Sequence, residues 1–210
     1  MKRASIMLRA VATALTAFSV AGNARALGPV DLEIAGKVGG GTNPVSGGPG
    51  LNPLGFGIGA RGGGSLYNVY AGLSFMYYFG GGQDLPGPLG GTVHDSASSV
   101  LYGIELGYNI PFLGITLRPQ IGVGNYTMNV TGSATVLGVT FPGSSTWENV
   151  YLEPGVTAKA SFGHWFVAAD ANLFWLPGAS NVQVALSQQT QFTLSSQVAF
   201  TAHGQAGVQF

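Results

Sequence analysis

The sequence predicts an all-β fold: an eight-stranded antiparallel up-and-down transmembrane β-barrel with long extracellular loops and short periplasmic turns. Three observations lead there. The chain is apolar yet nearly without charge, its apolar residues recur with a period of two, and its connections alternate between long and short. Only 8% of the 210 residues are charged, against about 25% in soluble domains, and mean hydropathy is +0.31. Yet beyond the first 26 residues no stretch holds the ~18 consecutive apolar residues of a membrane helix. Only helices and closed barrels satisfy every backbone polar group in lipid, so such a chain crosses as strands.

Composition excludes several alternatives. The 35 glycines follow no G-X-Y period, and an apolar content of 46% argues against disorder. With no cysteine there are no disulfides, thiolate metal sites, cysteine nucleophile or cysteine-linked lipid anchor. Residues 1–26 read as a cleavable secretory signal peptide. Lys2, Arg3 and Arg9 form its positive region, Ala10 to Val20 its apolar core, and Ala24-Arg25-Ala26 the small-x-small cleavage pattern. Residues 27–210 then form one barrel domain. Four of the eight basic residues leave with the leader while all eight acids remain, a net charge of −4. No basic patch is left for a nucleic-acid backbone.

From Leu27 onward the strand period dominates. The first segment, Val30–Val38, places Val30, Leu32, Ile34 and Val38 on one face. The second, Leu54–Arg61, does so with Leu54, Phe56, Ile58 and Ala60. The third, Leu66–Phe79, alternates without a break from Tyr67 through Val69, Ala71, Leu73, Phe75 and Tyr77 to Phe79. Ser99–Asn109, Ile115–Tyr126, Asn149–Ser161, Trp165–Leu176 and Gln197–Phe210 complete the set. The connections 39–53, 80–98, 127–148 and 177–196 are long and rich in Gly, Pro, Ser and Thr, whereas 62–65, 110–114 and 162–164 are short. That alternation is the mark of a membrane barrel with both chain ends on the periplasmic side. Ten strands result only if segments near Thr135 or Phe192 also cross.

The charges carry a second pattern. Glu33, Lys37, Arg61, Glu105, Arg118, Glu153, Lys159 and Asp170 all fall on the face opposite the apolar one. A Lys or Arg on the lipid face at mid-bilayer costs about 2–4 kcal/mol, so these eight are expected to form a lumen charge network that plugs the barrel. An eight-stranded barrel is only wide enough for its own side chains. With the fourth turn centred on Pro111–Phe112, Glu105 lies opposite Arg118, a favourable facing pair. Tyr67 to Tyr77 and Trp165 to Trp175 are each ten residues apart on the outward face. Tilted strands of that length rise about 25 Å, the height between two aromatic girdles. The inverse architecture, a soluble lipocalin-type barrel, would bury the apolar face and expose the charges.

The last strand alternates Val198, Phe200, Ala202, Gly204, Ala206, Val208 and Phe210 and ends on an aromatic. It resembles the assembly signal that bacterial outer-membrane barrels present at Phe200, Val208 and Phe210 to their assembly machinery. With the leader and the strand layout, the chain resembles the OmpA transmembrane domain and OmpX family of small Gram-negative barrels. The resemblance implies residence in the cell outer membrane, contact with outer-membrane lipid and lipopolysaccharide, transient contact with the barrel-assembly machinery, and a monomer. No soluble peptidoglycan-binding domain is expected beyond the barrel. The charged interior argues against the apolar conduit of an OmpW-like barrel.

Other motifs carry little chemistry. Gly57-Ile58-Gly59-Ala60-Arg61-Gly62 spells G-x-G-x-x-G, but a nucleotide site needs a helix after the strand. Here the glycines alternate along a strand. His94, His164 and His203 lack the spacing of metal ligands, although His203 faces inward and is available to the interior network. His94-Asp95-Ser96 has the His-x-Ser order of outer-membrane lipid A deacylases, but a serine nucleophile also needs an acid to orient its histidine, and the nearest strand acid, Glu105, points inward. No enzyme activity, cofactor or metal is therefore expected. The runs Ala134-Thr135-Val136 and Gln183-Val184-Ala185-Leu186 are suited to extend strands above the membrane, where an edge can pair with a partner. The sequence thus points to a structural or surface-interaction role, with a narrow pore as the alternative and a lipid A-modifying enzyme as a minor one.

Overall fold

The computed structural model describes residues 30–43, 45–46, 52–86, 91–136, 139–177, 183–187, 190–194 and 198–210. The expected signal peptide, 1–26, lies outside them. All regular structure among the described residues is strand. Eight strands form the barrel: β1 (Val30–Gly41), β2 (Gly57–Leu66), β3 (Val69–Tyr78), β4 (Thr92–Tyr108), β5 (Ile115–Val136), β6 (Val139–Phe162), β7 (Trp165–Trp175) and β8 (Val198–Gln209). Each pairs antiparallel with the next. β8 returns to β1, with Glu33 opposite Gln209 and Gly41 opposite Thr201, and closes the barrel.

Two of the short turns fall within the expected connections 110–114 and 162–164, and one does not. The first is Tyr67–Asn68, joining Leu66 directly to Val69, rather than 62–65. Both residues have positive φ, 48° and 70°, as a two-residue type I′ hairpin requires. The second is Leu113–Gly114, with φ of 48° and 86° between the paired residues Phe112 and Ile115. The third, Gly163–His164, has its positive φ at Gly163, the pattern of a II′ turn. Moving the second turn shifts the register. Glu105 faces Gly122, not Arg118, and the expected Glu105–Arg118 facing pair does not exist.

Strand lengths are strongly uneven. β4, β5 and β6 run for 17, 22 and 24 residues, while β2 and β3 have 10 each. Segments 92–98, 127–136 and 139–148, expected as parts of loops, are therefore strand: β5 and β6 stay in register up to Val136 and Val139. With Gly82–Pro86 paired alongside β4, they build a four-stranded wall above the barrel rim. A separate sheet pairs Gln183–Ser187 with Thr190–Leu194, and the latter with Val45–Ser46. None of these extensions adds a strand to the barrel, which has eight.

Outward positions carry an apolar belt, including Leu73 at 65% and Ile104 at 49% relative exposure, whereas the inward residues between them are buried. Leu54 departs from the expected outward series. It precedes β2, turns inward and is fully buried, while Phe56 and Ile58 point out. Several inward glycines make room for large side chains lying flat on the wall. A Cβ on Gly63 would come within 2.6 Å of the Tyr70 hydroxyl, and one on Gly57 within 2.6 Å of the Tyr78 ring. Gly57 and Gly59 of the G-x-G-x-x-G run are of this kind, packing beneath Tyr78 and Met76, so a packing requirement accounts for them.

Candidate functional site

The lower half of the lumen is ionic. Arg118 on β5 donates two hydrogen bonds across the barrel to Glu33 on β1, at 2.6 and 2.8 Å. This fork-to-fork geometry is the strongest arrangement open to the two groups. Lys159 adds a contact to Glu33 at 3.0 Å, and Arg61 stands 3.9 Å away. Glu105 instead meets Arg61 at 3.0 Å and Lys37 at 3.7 Å. Lys37 also reaches Asp170 at 3.5 Å. Glu153 accepts from Thr201 at 2.7 Å and from Asn172 at 3.3 Å. All eight charged side chains lie inside, and Lys159 is the most accessible of those in ion pairs at 11%.

Neutral groups complete this layer. The Tyr70 ring stacks against the Arg118 guanidinium at 3.8 Å and the Arg61 guanidinium at 4.9 Å, and its hydroxyl accepts from Arg61 at 3.3 Å. Arg61 also donates to Gln205 and Thr157. Gln205 bonds Asp170, which holds Nδ1 of His203 at 2.6 Å. The other His203 nitrogen lies 2.7 Å from the Tyr78 hydroxyl. Both ring nitrogens of His203 are thus engaged, one by a carboxylate and one by a phenol hydroxyl. Below the ionic layer the lumen widens into a polar cavity of about 330 Å³ at the periplasmic mouth, bordered by Asp31, Ser65, Asn109, Lys159, His164 and Gln209.

Above His203 the interior changes character. Tyr78, Met76, Leu101, Tyr126, Met128, Tyr151, Phe174, Leu54 and Leu176 form one cluster, each at most 3% exposed. Tyr126 packs edge-on against Phe174 at 5.3 Å and against Trp147 at 5.7 Å. The lumen is therefore closed twice, by an ionic layer and by an aromatic and aliphatic layer above it. The expected charge network thus occupies one layer of the lumen, and an apolar layer lies above it. The signal was present in the inward register of the third segment, where Tyr70, Met76 and Tyr78 alternate with the lipid-facing residues. Tyr70 and Tyr78 are the residues the charge pattern alone could not identify.

The wall presents two faces. Inward it carries Asp95, Ala97 and Ser99 of β4 and Met128 and Val130 of β5, all buried. Burial raises the Asp95 carboxyl above its ordinary range. Outward it carries His94, Ser96 and Ser98 of β4, Thr127, Asn129, Thr131 and Ser133 of β5, and Ser144, Thr146 and Glu148 of β6. His94 has an acid partner that sequence separation concealed. Asp84, directly opposite across the Gly82–Pro86 pairing, lies 2.5 Å from Nδ1. Ser96, however, bonds Thr131 at 2.8 Å, and among the described residues no serine–histidine bond accompanies the pair. Among the described residues no cluster of three or more His, Asp or Glu suits a metal ion.

The remaining expected positions lie on the outer surface. Trp165 and Trp175 are 66% and 40% exposed at opposite ends of β7. Tyr77 faces outward near the top of β3, while Tyr67 occupies the first hairpin turn rather than a strand, at 76% exposure. Phe200 is outward at 63%. Val208 pairs with Ile34 and with Trp165. Phe210 and Leu32 exchange backbone hydrogen bonds at 2.9 and 3.0 Å, so the chain terminus is stitched into the closing seam.

Comparison with solved structures agrees on the fold. A major outer membrane protein from Thermus thermophilus superposes with a TM-score of 0.56 at 11% identity, covering 86% of this chain and 99% of that one. The N-terminal β-barrel domain of Pseudomonas aeruginosa OprF gives 0.44 at 16% identity, over 86% and 97% of the two chains. Ail, the attachment invasion locus protein of Yersinia pestis, gives 0.40 at 12% identity, over 86% and 97%. No protein-family model and no curated protein matches the sequence. The fold is that of the small outer-membrane barrels. A closed barrel with its apolar residues outward and its charges inside is built for a bilayer, and the chain is an outer-membrane β-barrel protein.

Proposed function

We propose that the protein is a sealed, non-enzymatic barrel that contributes to outer-membrane structure and works through its extracellular surface. The observation that carries this reading is the double closure of the lumen. The Glu33–Arg118 pair spans the bore with hydrogen bonds of 2.6 and 2.8 Å, and the cluster around Tyr126 and Phe174 fills the bore above it. Ion passage would require breaking a buried, bidentate ion pair and displacing close-packed aromatic rings. Both are costly, the first because each separated charge is left unpaired away from water. The narrow pore is thus the weaker reading. The lipid A-modifying reading is weaker again, since Ser96 is held by Thr131 rather than by His94.

The deciding experiment is single-channel recording of the purified barrel in planar bilayers. No conductance steps are expected above the bare-membrane baseline. Discrete, reproducible steps from folded protein would overturn the sealed-barrel reading and restore the pore.

A further inference from the structure

We infer that Asp95 is a proton-operated latch in the extracellular wall. With its carboxyl neutral the upper wall stays packed on its inner side, and ionisation lets that part open. The inference concerns how the wall is held and does not depend on what the wall meets.

Position comes first. β3 ends at Tyr78, opposite Ser99, so Asp95 stands four residues farther along β4, above the barrel rim on that side. Going up the inner face, β4 presents Leu101, Ser99, Ala97 and Asp95, and β5 the matching Tyr126, Met128, Val130 and Gly132. The apolar cluster reaches Ala97 and Val130, and Asp95 occupies the next rung, 0% exposed. One rung below the top of the cluster the polar group is satisfied, since Ser99 donates to the Pro53 carbonyl at 2.6 Å. At Asp95 neither carboxylate oxygen has a hydrogen-bond partner among the described residues. Gln83 lies directly across in the Gly82–Pro86 pairing, and its side-chain nitrogen is likewise buried without a partner.

Chemistry says what such a group does. A carboxylate removed from water must be paired, or it takes up a proton. All four Lys and Arg beyond residue 29 are committed to the lumen, so none pairs with Asp95. The titratable groups beside it are His94 on its own strand and Asp84 on the neighbouring one, bonded to each other on the outer face. On its other side β5 presents Gly132 and, beyond that, β6 presents Gly143, with no charge on either. Burial accordingly pushes the Asp95 carboxyl up, against a smaller lowering by His94. The neutral acid can be enclosed, whereas the anion needs water, which reaches it when the upper wall opens. The closed wall therefore holds the proton more tightly than the open one. Closure is fully favoured below the ordinary aspartate value of 3.8 and weakens as pH rises above it, until the carboxyl ionises in the closed wall as well.

The test is hydrogen exchange of the full folded barrel in detergent from about pH 4 to about pH 8, with the intrinsic pH dependence of exchange divided out, because exchange reads local opening. Peptides from 92–98 and 128–136 report the wall, and peptides from β7 report the barrel. Wild-type wall protection is expected to fall as pH rises, by up to about tenfold per pH unit, the limit for one proton, while β7 stays protected. Asp95→Asn, which cannot ionise, should keep the acid level of protection throughout. His94→Gln should leave the wild-type course in place. Wall protection independent of pH, a course that survives in Asp95→Asn, or one that vanishes in His94→Gln would overturn the latch. So would β7 losing protection in step with the wall, which would mean general unfolding. Calcium ions restoring wild-type protection at neutral pH would also overturn it, by showing that a cation rather than a proton neutralises Asp95. If Asp95→Asn gives no compact gel band, Asp95→Ala carries the same comparison.

Discussion

Glu33 is the residue on which the ionic layer turns. It accepts both hydrogen bonds from Arg118 and one from Lys159, and lies within 3.9 Å of Arg61. Buried ion pairs are poor stabilisers when compared with well-packed apolar side chains, but removing one partner leaves the others charged and unpaired. Glu33→Gln keeps the volume and removes the charge, stranding Arg118 first. It should lower barrel stability by about 3–5 kcal/mol, read as a lower urea midpoint for loss of the compact gel band. Glu105→Gln should act on a different pair, since Glu105 serves Arg61 and Lys37. A Glu33→Gln barrel as stable as wild type would mean that the layer is held by its neutral partners, Tyr70, Gln205 and Asn109, the last of which accepts from Arg118 at 2.6 Å.

At the scale of the elements, the turns decide the register, and they were the least legible part of the sequence. Glycine usually punctuates strands, which drew the first hairpin to 62–65. Gly62, Gly63 and Gly64 are instead strand residues, and Gly63 is needed because the Tyr70 hydroxyl occupies the space of its Cβ. The turn itself falls on Tyr67–Asn68, where a bulky residue adopts positive φ, a choice no propensity favours. In the same way, Ser, Thr, Gly and Pro between 127 and 148 read as loop, although their outward alternation is the strand period written in polar residues. The strands whose lipid-facing halves are apolar were legible. Their extramembrane halves were not, because there both faces need not differ in polarity. Leu113 offers a direct check. It is 90% exposed with φ of 48° in the Leu113–Gly114 turn, and the left-handed region costs a β-carbon residue about 1–2 kcal/mol. Leu113→Asn creates the Asn-Gly pair that type I′ hairpins prefer. It should raise the unfolding midpoint, by about 1 kcal/mol in stability. A fall would show that Leu113 anchors the turn in lipid more strongly than the backbone resists it.

The whole molecule depends on closure. Alternation, connection lengths and the one-sided charges were enough to read an eight-stranded barrel, because lipid imposes the same demand on every strand. What the sequence could not reveal was which inward residues meet across the bore, since Glu33 and Arg118 are 85 positions apart and their meeting depends on the register of all the strands between. Closure itself rests on β8, which bonds β7 from Trp165 to Trp175 and β1 from Glu33 to Gly41. Without β8 both of those strands would face lipid with unpaired N–H and C=O groups, each costing several kcal/mol. The remaining seven strands cannot recover that loss by pairing β1 with β7. With every neighbour antiparallel, β1 and β7 run in the same direction and cannot reproduce the antiparallel seam, and losing β8 also removes His203 and Gln205 from Asp170 and Ala199 from the apolar layer. Deleting residues 198–210 should therefore abolish the compact, heat-sensitive gel band altogether and leave a protease-sensitive chain, while Phe210→Ala, which keeps the backbone pairing with Leu32, should still refold in detergent. A truncated chain that kept the band would show that a seven-stranded closure is available and that the β1–β8 seam is dispensable to the fold.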